Sequence, residues 1–235
     1  IVLTGFFYLD SRLDTMARVE ILAYLAKLGY DVSFIAVRSR KNIRFKNQDI
    51  NITAIPLRYV PLISPIIFCF VTLFYLPLYI IRNRPNFIIV EPSIGTLGFI
   101  WKPLLSHFLK FSVILDIRSP PVGISGFFKN VRMVEFRISI ALAKMMFDGM
   151  TIITSPMKRE ICKNYDVDPK WVGVWSSGVS LSVFNCENNS SGLDLRRKLG
   201  LSNKFIVLYH GVFDRRRGLI ESVRAIALVK KKFPD

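Results

Sequence analysis

Apolar and polar positions along this chain follow two periods. Runs dominated by apolar residues occur at Ile1–Leu3, Asp31–Val37, Ile50–Leu57, Asn86–Val90, Ser112–Ile117, Met150–Thr154, Val172–Trp175 and Phe205–Tyr209. Short apolar runs bounded by turn residues read as buried strands. Between them the spacing widens to a helical period. This happens over Thr15–Leu28, which stops at Gly29, around Val131–Phe147, and after Ser155, which is expected to cap a helix with Pro156 in its first position. Strand, helix, strand in this rhythm predicts an α/β fold with a doubly wound parallel sheet.

Between Ser176 and Asn203 the composition shifts to Ser, Asn and Gly, as linkers do. A new strand–loop–helix unit begins at Lys204. The expected organisation is a Rossmann-like domain over 1–175, a linker over 176–203, and the start of a second, truncated Rossmann-like domain over 204–235. The chain begins at Ile1 and stops in Lys-Lys-Phe-Pro-Asp, so it is expected to be a fragment.

Charge changes the picture. Lys and Arg number 33 against 17 Asp and Glu, a net charge of +16, yet the mean hydropathy is +0.36. A basic but apolar chain suits an anionic membrane surface or phosphorylated ligands. A nucleic-acid binder is disfavoured, because no strand carries interleaved aromatic and basic residues. Cys69, Cys162 and Cys186 stand far apart and the two histidines, His107 and His210, complete no ligand set, so no metal is expected. Sparse cysteine suits a reducing cytoplasm.

Tyr59 to Ile81 is 23 residues without a charge, long enough to cross a bilayer. A crossing would put strands of one sheet on opposite sides of the membrane, and Pro61, Pro65 and Pro77 interrupt it. Two readings stay open: a buried helix, or one lying in a membrane interface. The next long helix offers a second cue. Lys129, Arg132, Phe136, Arg137, Ile140 and Lys144 share one side, a candidate membrane contact. Val131, Val134, Ile138, Leu142 and Met145 share the other. Localisation is expected to be cytoplasmic, peripheral on the inner face of the cell membrane.

Candidate chemistry sits at strand ends. Asp116 and Arg118 form the candidate catalytic pair; a guanidinium stays protonated, so Arg118 binds rather than takes up a proton. Glu91 and Ser93 end another strand as candidate acceptor-cleft residues. The segment from His210 to Gly218 carries Gly211, Arg215, Arg216, Arg217 and Gly218 between a strand and a helix. A close-approaching glycine, forked donors and a helix N-terminus together suit a diphosphate. Asp166-Val167-Asp168 reads as a turn.

The order of these segments resembles glycosyltransferase family 4. Gly211 and Arg217-Gly218 keep the spacing of that family's Gly-Arg-Leu, three residues, Lys-Gly, although Val212 stands where the family has arginine. That leaves Arg215 and Arg216 as substitutes. Leu25–Val32, Arg84–Ile89, Thr151–Ser155 with Met157-Lys158, and Trp175–Ser180 with Phe184 resemble its other landmarks in order. The resemblance implies a GT-B fold of two Rossmann-like domains. It implies a retaining, metal-independent hexosyl transfer from a nucleoside diphosphate sugar, without cofactor, to a lipid-linked or cell-envelope glycan acceptor. It also implies that the family's donor-binding glutamates lie beyond residue 235 and that this stretch alone is inactive. The alternative is a non-catalytic membrane-associated scaffold built on such a half.

Overall fold

The computed structural model describes residues 1–9, 13–38, 50–58, 60, 63–121, 126–176, 178, 189–202, 204–211, 213 and 217–233. Seven parallel strands form one sheet: β1 Val2–Tyr8, β2 Val32–Val37, β3 Ile50–Ile55, β4 Phe87–Val90, β5 Ser112–Ile117, β6 Gly149–Ile152 and β7 Val172–Val174. Their order is β3-β2-β1-β4-β5-β6-β7. Such a doubly wound order reverses between β1 and β4, and ligands of these folds bind where the carboxyl ends part at that switch. The predicted strands up to residue 174 are all present within a few residues.

The strands are apolar on both faces because both faces are covered. Along β2, Val32, Phe34 and Ala36 pack with Leu3, Val19 and Leu22, on the side of helix α1 (Leu13–Lys27). Ile35 and Val37 point the other way, into a larger core beneath α2 (Ile63–Asn83), α4 (Phe127–Met146) and α5 (Ser155–Tyr165). Helix α1 ends at Gly29, whose φ of 87° is left-handed. Tyr30 N–H donates to Leu25 O and Gly29 N–H to Ala26 O, the pairing that closes a helix on glycine. Thr154, not Ser155, caps α5: its Oγ1 accepts from Met157 N at 3.3 Å, leaving Ser155 inside the first turn with Pro156. Asp166-Val167-Asp168 forms turns. Asp166 ends α5 in the left-handed region, and Asp168 accepts from Lys170 N.

Helix α2 is long and apolar enough to cross a membrane by length and composition. It nevertheless joins β3 to β4 of the same sheet. Its buried row, Ser64, Phe68, Thr72, Leu76 and Ile80, recurs every fourth residue. That row rests on a 3-10 helix, Ile94–Phe99, which leads through Ile100 and Trp101 into the short α3 (Lys102–Leu105). Two glycines let them meet. A Cβ on Gly95 would crowd the Phe68 ring, and one on Gly98 would stand 2.9 Å from Leu76 Cδ1 and 3.1 Å from the Thr72 carbonyl carbon. Pro77 has no N–H to give to Leu73 O, four residues back. Trp101 Nε1 donates to that carbonyl at 3.0 Å instead.

The chain divides into two compact units after Gly178. In the second unit, helix α6 (Asn189–Lys198) forms inside the expected linker. Residues 204–210 form no ladder with any described strand, so the expected strand Phe205–Tyr209 is absent from the structure. A strand is defined by its pairing, and Phe205 and Leu208 stand 95% and 83% exposed. Helix α7 (Leu219–Lys232) follows as expected.

Candidate functional site

Adjacent parallel strands bring their carboxyl ends together. Val90 pairs with Leu115 and Ile117 with Ile152, so the residues after β4, β5 and β6 share one edge, as the sequence order predicts. Asp116, 2% exposed, lies at the end of β5. Its Oδ1 accepts from Thr151 Oγ1 at 2.9 Å and from Trp175 Nε1 at 2.8 Å. Its Oδ2 accepts from Arg118 Nε at 2.9 Å. The Arg118 guanidinium carbon also lies 4.7 Å from the centre of the Trp175 ring. A buried carboxylate is tolerated when donors fill its oxygens, and here both are filled. Asp116 thus anchors Arg118 and Trp175 at the end of β5. The Arg118 side chain keeps 20% exposure, with its terminal nitrogens beyond the bonded Nε.

At the switch between β1 and β4, Glu91 pairs with Arg18 of α1. Both are mostly buried, with side-chain exposures of 16% and 7%. Thr15 Oγ1 donates to Tyr8 O at 2.9 Å, tying the start of α1 to the end of β1. Ser93 is 6% exposed. Its carbonyl accepts from Thr96 Oγ1 at 2.6 Å and Ser139 Oγ at 3.1 Å. It therefore fixes the 3-10 helix against α4.

The side of α4 expected to meet a membrane is divided between core and surface. Phe136 and Ile140 are 2% and 1% exposed and belong to the core. Arg132 is held by Glu135 at 3.1 Å. Lys144 donates to Tyr165 O at 2.9 Å, bracing the end of α5. Lys129 and Arg137 are exposed. On the other side of α4, Val134, Ile138 and Met145 are 53%, 41% and 79% exposed. Burial pushes the Glu135 carboxyl above the ordinary carboxylate value, against the opposing pull of Arg132.

Solved structures share this architecture. The chain is similar to a glycosyltransferase from Rickettsia africae ESF-5, with TM-score 0.58 and 12% identity over 86% of this chain and 50% of that one. It is similar to a sucrose-phosphate synthase from Thermosynechococcus elongatus, with TM-score 0.66 and 17% identity over 97% of this chain and 59% of that one. WaaG, a glycosyltransferase involved in lipopolysaccharide biosynthesis, gives TM-score 0.53 and 10% identity over 86% of this chain and 52% of its own. The fold is the Rossmann-like fold of GT-B glycosyltransferases. No protein-family model and no curated protein sequence matches the chain. The chain spans 50% to 59% of the length of these three structures.

In the second unit, Arg217 is exposed and directly precedes Gly218, the N-cap of α7, whose φ of 65° is left-handed. Gly218 has no side chain to satisfy the first N–H groups of α7, while Glu221 puts an acid in the first turn. Gly211 is described and exposed; Arg215 and Arg216 lie outside the described residues. The sequence reading missed Arg18, Thr151 and Trp175. A lone arginine in a largely apolar helix, and a tryptophan closing a short strand, were the available signals.

Proposed function

We propose that this chain carries the acceptor-side half of a GT-B glycosyltransferase and the first part of its donor-binding half, in the manner of glycosyltransferase family 4. The observation that carries the reading is Arg118, clamped by Asp116 and Trp175 on the carboxyl edge of a sheet of this order. A rigid, permanently charged fork at that edge suits the hydroxyls or phosphate of bound sugar substrates. The donor is a nucleoside diphosphate sugar and the product retains its anomeric configuration. Charge building on the leaving diphosphate is met by Arg217, with Arg215 or Arg216, and by the N-terminus of α7; no metal or cofactor takes part. The acceptor is a lipid-linked or cell-envelope glycan, hexosyl transfer takes place at the cytoplasmic face of the membrane, and nucleic acid is no partner. An apolar row on α2 supports the membrane setting: Phe70, Phe74 and Leu78 are 59%, 64% and 67% exposed.

The test is release of nucleoside diphosphate by the full-length protein from a panel of sugar donors, with lipid extract as acceptor. Arg118→Ala and Arg217→Ala are each expected to lower kcat by about a hundredfold, the scale of one lost oxyanion donor, and chelator is expected to change nothing. Wild-type protein that releases no diphosphate from any donor overturns this reading in favour of the scaffold.

A further inference from the structure

Helices α2 and α4 lie on either side of the 3-10 helix without closing over it. Between them runs a groove of about 460 Å³, within the ~300–1,000 Å³ of small-molecule sites. Ile66 comes from α2, Ile94 and Leu97 from the 3-10 helix, and Phe128, Val134 and Ile138 from α4. The polar side chains of its wall are Asn130 and the mutually paired Arg132 and Glu135. Hydrogen bonding therefore offers little to a polar ligand here, while hydrocarbon meets an almost continuous apolar lining.

We propose that this groove holds one hydrocarbon chain of an anionic membrane lipid, drawn partly out of the bilayer. Three observations favour that occupant. The groove opens beside the outer row of α2, where Ile63, Ile67, Phe70 and Phe74 are 54%, 43%, 59% and 64% exposed, so a chain entering it need not leave apolar surroundings. The charge beside it is mainly positive. Lys129 and Arg137 of α4, next to lining residues, are exposed, and Glu135, held by Arg132, is the only acid on either helix. A second copy of this chain would bring the same positive field against itself, whereas an anionic headgroup complements it. Finally, Ile94 lies three positions after Glu91, so the groove starts next to the carboxyl edge of β4. In the transferase reading, on which this last extension rests, the bound chain belongs to the acceptor lipid and brings its headgroup to that edge.

Native mass spectrometry of the full chain with lysophosphatidylglycerol below its micelle concentration tests the groove. A saturable one-to-one adduct is expected. Ile138→Trp and Val134→Trp, both at exposed groove positions, are expected to weaken it about tenfold or more, the scale of about two lost buried methylenes. Met145→Trp, exposed on the same helix but outside the groove, is expected to leave it unchanged. Phe74→Glu is expected to keep the adduct while losing sedimentation with phosphatidylglycerol vesicles, which separates groove from surface. Thermal melts identify any variant that has not folded, and the second groove variant then decides. No adduct with wild type, an adduct equally strong in a folded groove variant, or a dimer that Ile138→Trp dissociates overturns the proposal. Diphosphate release is read separately, so failure of the transferase reading leaves a different trace from failure of the groove.

Discussion

Helices α2 and α4 pack against the same 3-10 helix, yet they choose their buried faces by different rules. On α2 every face is apolar, and the buried row is the one that fits the glycines: Phe68, Thr72 and Leu76 close on Gly95 and Gly98. On α4 both faces hold large apolar residues, and the core takes Phe136, Ser139, Ile140 and Ala143. Ser139 reaches the Ser93 carbonyl and Thr96 Oγ1, a contact that Val134 or Ile138 could not make. Packing geometry and a small hydrogen-bonding side chain therefore outrank total hydrophobicity in setting the face. Among the apolar residues left over, Ile66 of α2 and Val134 and Ile138 of α4 meet at the groove.

The largest expected effect separates the two rows of α2. Phe68→Ala should cost about 3–5 kcal/mol of stability, as loss of a buried aromatic does. Phe74→Ala should stay within about 0.5 kcal/mol, as exposed substitutions do. Binding to anionic vesicles should rank them in the opposite order. Urea unfolding and sedimentation measure both, and a large stability loss in Phe74→Ala would show that the outer row is covered within the protein.

Next comes the close approach itself. Gly98→Ala places a methyl 3.1 Å from the Thr72 backbone, which cannot rotate away. Overpacking of this kind costs about 1–3 kcal/mol. A lower urea midpoint is expected, with larger residues at 98 worse still. A neutral Gly98→Ala would mean that α2 can ride outward freely.

The sheet was readable in the sequence because parallel strands covered on both faces are continuous apolar runs: Phe34, Ile35, Ala36 and Val37 of β2, which alternate between the two faces, are all fully buried. The helix faces were not, because α4 offers two apolar stripes and only the shape of the 3-10 helix chooses between them. The position of Asp116 at a strand end was legible, but its bonding partners were not. Its partners Thr151 and Trp175 are 35 and 59 residues away, and no local pattern announces such a bond. Phe205–Tyr209 shows the reverse failure: strand-like composition without a paired strand.

A smaller effect tests how α2 tolerates Pro77. Trp101→Phe keeps most of the ring but leaves Leu73 O without its indole donor, and should cost about 1 kcal/mol, the usual net worth of one hydrogen bond. Pro77→Ala restores an N–H to that carbonyl. The double variant should therefore lose less than the sum of the two single changes. Strict additivity in thermal melts would show that the indole bond does not compensate for the proline.

The smallest effect is a pH slope on the wall of the groove. Burial raises the Glu135 carboxyl above its ordinary value of 4.5, and the Arg132 pair only partly opposes this. The folded protein thus holds this proton more tightly than the unfolded chain. By linkage, the stability from this group is fully present below about pH 4.5 and is lost as pH rises through the raised folded value. Glu135→Gln keeps the shape and carries no such slope. It should melt at a higher temperature than wild type at pH 7, by a margin that shrinks towards pH 4. Arg132 is 42% exposed at its side chain, so the lost ion pair subtracts little. The same residue sharpens the contrast between the helices, since α2 has no carboxylate and apolar substitutions on its outer row should give no slope over this range. A margin that stays flat with pH would mean that water reaches Glu135 freely and that the α4 side of the groove is wetter than its apolar lining implies.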